Sequence, residues 1–414
     1  MREMKDSGIE WIADIPEHWS VSKIGGLYSL RVTKVSDRDY PPLSVTNKGI
    51  LPQLETAAKT NAHDDRKLVC KGDFAINSRS DRRGSCGISS YTGSVSLINT
   101  ILRPMTEMHP QYYDWLFHTI QFGDEFYKWG HGIVDDLWTT GWQDMKKISI
   151  PTPPITEQAV IADFLDEQCA EIDTLVTDIQ SQIEALEEYK RSVITEVVTK
   201  GLDPDVEMRD SGIAWVGDIP AHWLVEKVKF HLQRNEPRNP GDKQVLSVYR
   251  EYGVIPKDSR DDNHNVTSED TSNYKYVVPG NLVINKMKAW QGSMGVSEYE
   301  GIVSPAYFIY KFTDNQIMPK YLHYLFRSCY KDEFRRISGG IREGQWDLSP
   351  YEFSNTLLLI PPTDEQNRIV SYIDARISEI EFAITEKKQQ IETIEEYKKS
   401  LIFEYVTGKK EVIV

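Results

Sequence analysis

Two stretches of this 414-residue sequence carry side chains able to read the edge of a nucleic-acid base, set in a common frame. The first runs Gly72-Asp73-Phe74-Ala75-Ile76-Asn77-Ser78-Arg79-Ser80-Asp81-Arg82-Arg83-Gly84-Ser85-Cys86-Gly87. The second, 208 residues later, runs Gly280-Asn281-Leu282-Val283-Ile284-Asn285-Lys286-Met287-Lys288-Ala289-Trp290-Gln291-Gly292-Ser293-Met294-Gly295. The apolar start and the glycines coincide. Between Asn77 and Gly84, and between Asn285 and Gly292, the residues differ but stay basic and polar. Arg79, Arg82 and Arg83 are of the type that forks onto guanine, and Asn77, Asn285 and Gln291 of the type that grips adenine. Lys286 and Lys288 are of the type that neutralises phosphate. A kept frame with changed contents suits a scaffold presenting interchangeable reading groups. The competing reading is a solvated turn in which Asp81 pairs with Arg82 or Arg83, at little energetic weight.

A second matched pair of loops is Gly130-His131-Gly132-Ile133-Val134-Asp135-Asp136-Leu137-Trp138 and Ser338-Gly339-Gly340-Ile341-Arg342-Glu343-Gly344-Gln345-Trp346. Their glycines allow close approach to another backbone. Lys128 and His131 are the candidate contacts in the first, and Arg335, Arg336, Arg342 and Gln345 in the second. Trp138 and Trp346 read as core residues, as do Trp11, Trp19, Trp215 and Trp223. His18 and His222 match between the copies, but nothing near them in sequence makes a metal site.

Two such loops need two similar frameworks, and the sequence supplies them by duplication. Met4-Lys5-Asp6-Ser7-Gly8-Ile9-Glu10-Trp11-Ile12-Ala13-Asp14-Ile15-Pro16-Glu17-His18-Trp19 recurs as Met208-Arg209-Asp210-Ser211-Gly212-Ile213-Ala214-Trp215-Val216-Gly217-Asp218-Ile219-Pro220-Ala221-His222-Trp223. Pro154-Ile155-Thr156-Glu157-Gln158 matches Pro362-Thr363-Asp364-Glu365-Gln366, and Glu187-Glu188-Tyr189-Lys190 matches Glu395-Glu396-Tyr397-Lys398. Each copy opens with an irregular part rich in glycine, proline and aromatics. Strand-like runs (Leu97 to Leu102, Ala306 to Tyr310) and helix-like runs (Pro110–Phe122, Pro319–Cys329) make it a mixed α/β domain. Each copy closes with a long helix. Leu165, Ile172, Ile179, Leu186 and Val193 lie seven apart, with Val176 and Ile183 beside them. Ile373, Ile380, Ile394 and Leu401 keep the same positions, with Lys387 as the exception, and Ile377, Ile384 and Ile391 repeat alongside. Sustained heptads describe a coiled-coil seam; the alternative is two surface helices packed each on its own domain. The predicted fold class is α+β: two mixed domains (1–152 and 204–360) separated by two long antiparallel coiled-coil helices (153–203 and 361–414), related by an internal pseudo-two-fold repeat.

The net charge of −15 opposes a nucleic-acid partner, yet it is unevenly spread. Residues 1–150 carry −1 and residues 208–359 carry 0, whereas 151–207 alone carry −11. The two neutral blocks can present basic faces if their acids lie elsewhere. No apolar run approaches the ~18 residues of a membrane span, and the polar N-terminus is not a secretory signal. The four cysteines, Cys70, Cys86, Cys169 and Cys329, show no paired spacing and read as buried thiols of a cytoplasmic protein.

Two related domains joined by paired helices suit a duplex with two separated half-sites, which need not be palindromic because the copies have diverged. The twice-used D-S-G-I-x-W-I/V-x-D-I-P-x-H-W and P-P-x-x-E-Q motifs resemble those of type I restriction-modification specificity subunits, and the resemblance spans essentially the whole chain. It implies that 1–152 and 204–360 are target-recognition domains, each reading half of a bipartite double-stranded DNA site. It also implies that the helical spacers set the gap and dock two methyltransferase subunits, with restriction subunits completing the enzyme. No cofactor is expected in this chain; S-adenosylmethionine, ATP and Mg would sit on the partners. Consistent with that division, the sequence has no N/D-P-P-Y/F motif, no glycine-rich methyl-donor loop after a strand and no P-loop pattern. The readings that compete from other classes are a free-standing DNA-modifying enzyme with degenerate motifs and a coiled-coil scaffold that binds only proteins.

Overall fold

The computed structural model describes residues 2–53, 63–79, 82–132, 138–250, 252–259, 270–340 and 346–413. The chain divides into two compact units, Met1–Gln180 with Lys388–Val414, and Ser181–Lys387. Both mix helix and strand.

In the first unit a four-stranded antiparallel sheet runs in the order Cys86–Ile88, Phe74–Asn77, Asn99–Pro104, Tyr28–Leu30. Its second strand is buried on both faces, as successive side chains point opposite ways. Phe74 and Ile76 enter the main core with Tyr28, Tyr113 and Phe117. Ala75 joins a smaller cluster with Leu43, Ile50, Val69, Val95 and Ile101. The helix expected over Pro110–Phe122 is in fact two, Pro110–Phe117 and Ile120–Lys128. Thr119 makes the break: its Oγ1 donates to the Leu116 carbonyl at 2.7 Å and accepts from Phe122 N at 3.2 Å, capping the next helix. The periodicity of apolar residues runs through this point, so the pattern alone does not show the interruption.

The second unit repeats the sheet in the order Met294–Val296, Leu282–Asn285, Tyr307–Phe312, Leu232–Arg234. Leu282 and Ile284 face its main core, and Val283 and Ile309 a smaller cluster. The helix Pro319–Ser328 covers the sheet as Pro110–Phe117 does in the first unit, each starting with proline where the missing N–H costs nothing.

The two long helices are Ile155–Lys200 and Thr363–Val406. Each contributes to both units, because the division falls inside them. In the first unit Leu165, Cys169 and Leu401 are buried, Phe164 packs on Tyr405 with ring centroids 4.5 Å apart, and Lys398 reaches Asp173 at 2.6 Å. In the second, Ile183, Val193, Ile373, Ile380 and Ile384 are buried. Lys190 lies 3.6 Å from Glu381, and Arg376 donates to the Tyr189 hydroxyl at 3.3 Å. Rising numbers on one helix meet falling numbers on the other, so within each unit the helices run antiparallel. Lys387, which interrupts the apolar repeat, donates to Gln182 Oε1 at 2.5 Å rather than entering the core.

The repeated motifs meet in space. Glu157 accepts from His18 Nε2 at 2.5 Å, from Trp19 Nε1 at 3.0 Å and from Arg2. Its counterpart Glu365 accepts from His222 Nε2 at 2.7 Å. The next residue is a buried glutamine in each copy. Gln158 accepts from His109 N and donates to the Pro153 carbonyl; Gln366 accepts from Met318 N and donates to the Gln316 and Pro361 carbonyls. The histidines therefore serve helix docking. The far end of the other long helix closes each assembly, with Val406 O accepting from Tyr112 Oη at 2.7 Å and Val198 O from Tyr321 Oη at 3.3 Å. The second long helix ends at Gly408, whose φ of 72° suits a left-handed cap; a Cβ there would stand 2.5 Å from Pro16. Trp19 and Trp223 are buried, while Trp11 and Trp215 are half-buried against the cores. The four cysteines are unpaired. Cys86 and Cys169 are buried as expected, but Cys70 and Cys329 only partly so.

Candidate nucleic-acid interface

Both candidate loops leave the sheet at the same place. The ladder pairs Asn77 with Asn99, and Asn285 with Tyr307. The turn then returns along the edge strands Cys86–Ile88 and Met294–Val296. Each turn is built by its first residue. Asn77 Oδ1 accepts from Arg79 N at 3.1 Å, and Asn285 Oδ1 accepts from Met287 N at 3.2 Å. An asparagine carbonyl spent on the backbone two residues ahead shapes a turn. These two candidates therefore hold the loop, and Asn77 is buried besides.

The side chains beyond them face outward. Arg79 is half-buried; Arg82 and Arg83 are exposed. Arg83 pairs with Asp124 at 2.7 Å and lies over the Tyr127 ring at 5.4 Å. In the second unit Lys288 is exposed, Lys286 pairs with Asp347 at 2.9 Å, and Gln291 accepts from Arg250 at 2.8 Å. Around the second pair of loops the basic side chains meet carboxylates. Lys128 lies 3.3 Å from Glu10, His131 Nε2 lies 3.3 Å from Asp144, and Arg336 forks onto Glu333 at 2.7 and 2.8 Å. Arg335 lies over the Trp290 ring, which packs on Trp346. Trp346 thus joins a half-buried surface pair rather than the core, and Trp138 is likewise half-buried. Arg342 and Gln345 lie outside the described residues, as do Ser80 and Asp81.

The first unit adds contacts that inspection of the loops does not find. An open concavity of about 640 Å³ is lined by Gln53, Arg66, Asn77, Arg82, Arg83 and Asn99, among others, with no carboxylate among the described residues of its wall. Arg66 is buried and held by Ser94, through Oγ and the carbonyl, each at 2.9 Å. Burial pulls its guanidinium pKa down, which marks a cation with little solvent around it. Among the described residues Asn99 Oδ1 is buried without a hydrogen-bond partner. In the second copy the matched positions hold Tyr274 and Tyr307. The only signal in the sequence is divergence at aligned positions well away from the loop.

The edge strand behind each turn is clamped by the covering helix, with different chemistry in each unit. Asp114 Oδ1 accepts from Ile88 N at 2.7 Å and stands 3.6 Å from His118. At the matched place His323 Nδ1 accepts from Val296 N at 3.2 Å, with Arg327 four residues on. Burial raises the Asp114 pKa. For His118, burial favours the neutral ring, but Cys86 and Asp114 outweigh it and carry the pKa up to about 10. Burial, with Arg327 and Lys320, pushes His323 down to about 3. One clamp is an acid beside an imidazolium; the other is a neutral imidazole beside a guanidinium.

Among the described residues there is no His, Cys, Asp and Glu group able to hold a metal ion, and no helix is long and apolar enough to cross a membrane. A family model described as the type I restriction modification DNA specificity domain matches residues 231–393. The chain is 25% identical over 434 residues to the type I restriction enzyme MjaVIII specificity subunit of Methanocaldococcus jannaschii, covering 96% of this chain and 94% of that one. It is 23% identical over 279 residues to the putative MjaX specificity subunit of the same organism, covering 65% of this chain but only 60% of that relative. A solved chain from work on complex assembly in the type I R-M system shares the fold, with a TM-score of 0.68 at 11% identity, over 96% of this chain and 99% of that one. Paired motifs, repeated sheets and these likenesses agree: the chain is similar to the specificity subunits of type I restriction-modification systems, and its residues 231–393 match their DNA specificity domain.

Proposed function

We propose that this chain is the sequence-specific DNA-binding subunit of a type I restriction-modification complex, and that each unit reads one half of a bipartite duplex site. The observation that carries the reading is the reading turn itself. Two frames with matching ladders, Phe74 to Asn77 with Cys86 to Ile88 and Leu282 to Asn285 with Met294 to Val296, present different basic and polar side chains from the corresponding corner of each sheet. Side chains that fork onto base edges discriminate, and those that meet phosphate position the protein. The chemistry is assigned to partners. Two methyltransferase subunits would hold S-adenosylmethionine, restriction subunits would use ATP and Mg, and the complex would work in the cytoplasm. The repeated helix with its Glu-Gln lead-in supports two methyltransferase docking sites, one per copy.

The test is binding by the purified chain to duplexes selected from a randomised pool. A bipartite consensus is expected, with affinity falling steeply as salt rises. A pool that shows no consensus, or turnover of DNA by the chain alone with Mg²⁺ and S-adenosylmethionine, would overturn the proposal. The measured mass of the saturated complex should show two methyltransferase copies.

A further inference from the structure

Gln291 closes the second reading turn, and its side chain is already engaged. Arg327, on the helix Pro319–Ser328, donates from Nη2 to the Arg250 carbonyl at 2.6 Å. Arg250 in turn donates from Nη2 to Gln291 Oε1 at 2.8 Å. An arginine has no acceptor, so the amide atom facing it is the oxygen. Reading adenine with glutamine uses both ends of the amide: the oxygen takes a hydrogen from N6 and the nitrogen gives one to N7. Here an approaching N6–H would meet the N–H groups of Arg250, donor against donor. What the turn can offer freely is the Gln291 amide NH₂ with the Arg250 guanidinium beside it. Guanine presents two acceptors to the major groove, N7 and O6.

Resting on the reading that this turn contacts base edges, we infer that Arg250 is a specificity-determining residue of the second unit: it takes one lone pair of the Gln291 oxygen and sets its guanidinium beside the other, so the pair presents mainly donors and the base it faces is guanine. Arg327 is a positioning residue, acting through the Arg250 backbone. Arg250 lies 41 residues from Gln291 in sequence, on the segment after the strand Leu246–Tyr249, so nothing local joins the two.

The experiment is selection of bound duplexes from a randomised pool by the full chain, followed by sequencing, for the wild type and four variants. One guanine in one half-site is expected to lose its enrichment in Gln291→Ala. Arg250→Met should shift the same position from guanine towards adenine, by at least tenfold in relative enrichment, with the other half-site unchanged. Arg250→Lys, which keeps a donor, should retain guanine, and Arg327→Ala should relax that position alone. If Gln291→Ala relaxes a position but Arg250→Met leaves it unchanged, or the position is not guanine in the wild type, the inference falls while the reading turn stands. If both variants leave every position unchanged, the turn is not the reader and the site assignment falls with it. Equal weakening on all sequences in Arg250→Met would make it a phosphate contact and overturn the inference.

Discussion

The two units share a sheet order, a ladder register and a helix dock, and differ where the sheet meets solvent. In the first, the region beside the turn is a concavity walled by Arg66, Asn99 and the loop arginines. In the second, Tyr274 and Tyr307 occupy the matched positions, and the turn is tied back through Gln291 to Arg250. The anchors to the long helices hardly change. Trp115 and Gln111 donate to Asp166, and Tyr324 and Lys320 to Asp374. A duplicated scaffold has thus held its joints to the helices while the candidate interface at the sheet edge diverged.

The strongest challenge to this comparison is to erase the difference. Replacing residues 285–291 with the contents of 77–83 should make the second half-site resemble the first and leave the first untouched. Affinity for the original site should fall by about 1–3 kcal/mol per altered base pair, read by selection from a randomised pool. Changes in both halves would mean that the turns are not independent readers.

Next come the shared joints. Gln366 makes three hydrogen bonds and Gln158 two, all with backbone groups. Truncation orphans buried partners at roughly 1–3 kcal/mol each. Gln366→Ala should therefore cost about 3 kcal/mol and Gln158→Ala about 2 kcal/mol by denaturant unfolding, with the half-site sequences retained by whatever fraction is folded. An inverted order would mean that the two docks are not equivalent.

A smaller effect separates readers from anchors within one turn. Arg79→Ala and Arg82→Ala should each cost about 1–3 kcal/mol and relax one base if the side chain reads guanine. Uniform weakening across sequences would assign it to phosphate.

The smallest expected effect lies in the two edge clamps, which should tilt oppositely with pH. His323 has its folded pKa depressed from 6.5 to about 3. Its contribution is present above pH 6.5 and lost as pH falls through about 3. His118 is raised from 6.5 to about 10, so its contribution is present below 6.5 and lost as pH rises through about 10; the raised pKa of Asp114 slopes the same way. Hydrogen exchange of the Val296 and Ile88 amides, corrected for intrinsic rate, should show protection falling in acid for Val296 and in base for Ile88. His323→Asn should flatten the first profile and leave the second unchanged; parallel profiles would show that the clamps do not differ.

Much of the framework is legible in the residues. The heptads mark the long helices, and the burial of Leu165, Ile179, Ile183, Val193, Ile373, Ile380 and Leu401 follows that spacing. The Glu-Gln and His-Trp motifs announce a joint without saying that they join each other. The break at Thr119 is missed because the apolar period continues across it. The site was read less fully. Loop contents point to Arg82, Arg83 and Gln291 as candidates, but Arg66 and Asn99 reach the same concavity through antiparallel pairing across tens of residues, and Arg250 meets Gln291 from the turn after a separate hairpin strand, which no local pattern encodes. Asn77 and Asn285 have the right chemistry for bases, but the turn needs their carbonyls for its own backbone.

The boundaries of the repeat and of the compact units do not coincide. The sequence repeats as two consecutive copies, yet Lys388–Val414, from the second, belongs with the first unit, and Ser181 to Lys200, from the first, with the second. Each copy surrenders its helix end to the other's core, where Val406 and Val198 accept the hydroxyls of Tyr112 and Tyr321. This is the arrangement of a reciprocal domain swap written into one polypeptide. The hydroxyl of Tyr112 is met by the other copy's helix end, and that of Tyr321 is shared between Val198 of the other copy and Leu359 of its own. In a swapped homodimer such an exchange would depend on protein concentration; here covalent linkage sets an effective concentration that no dilution can lower.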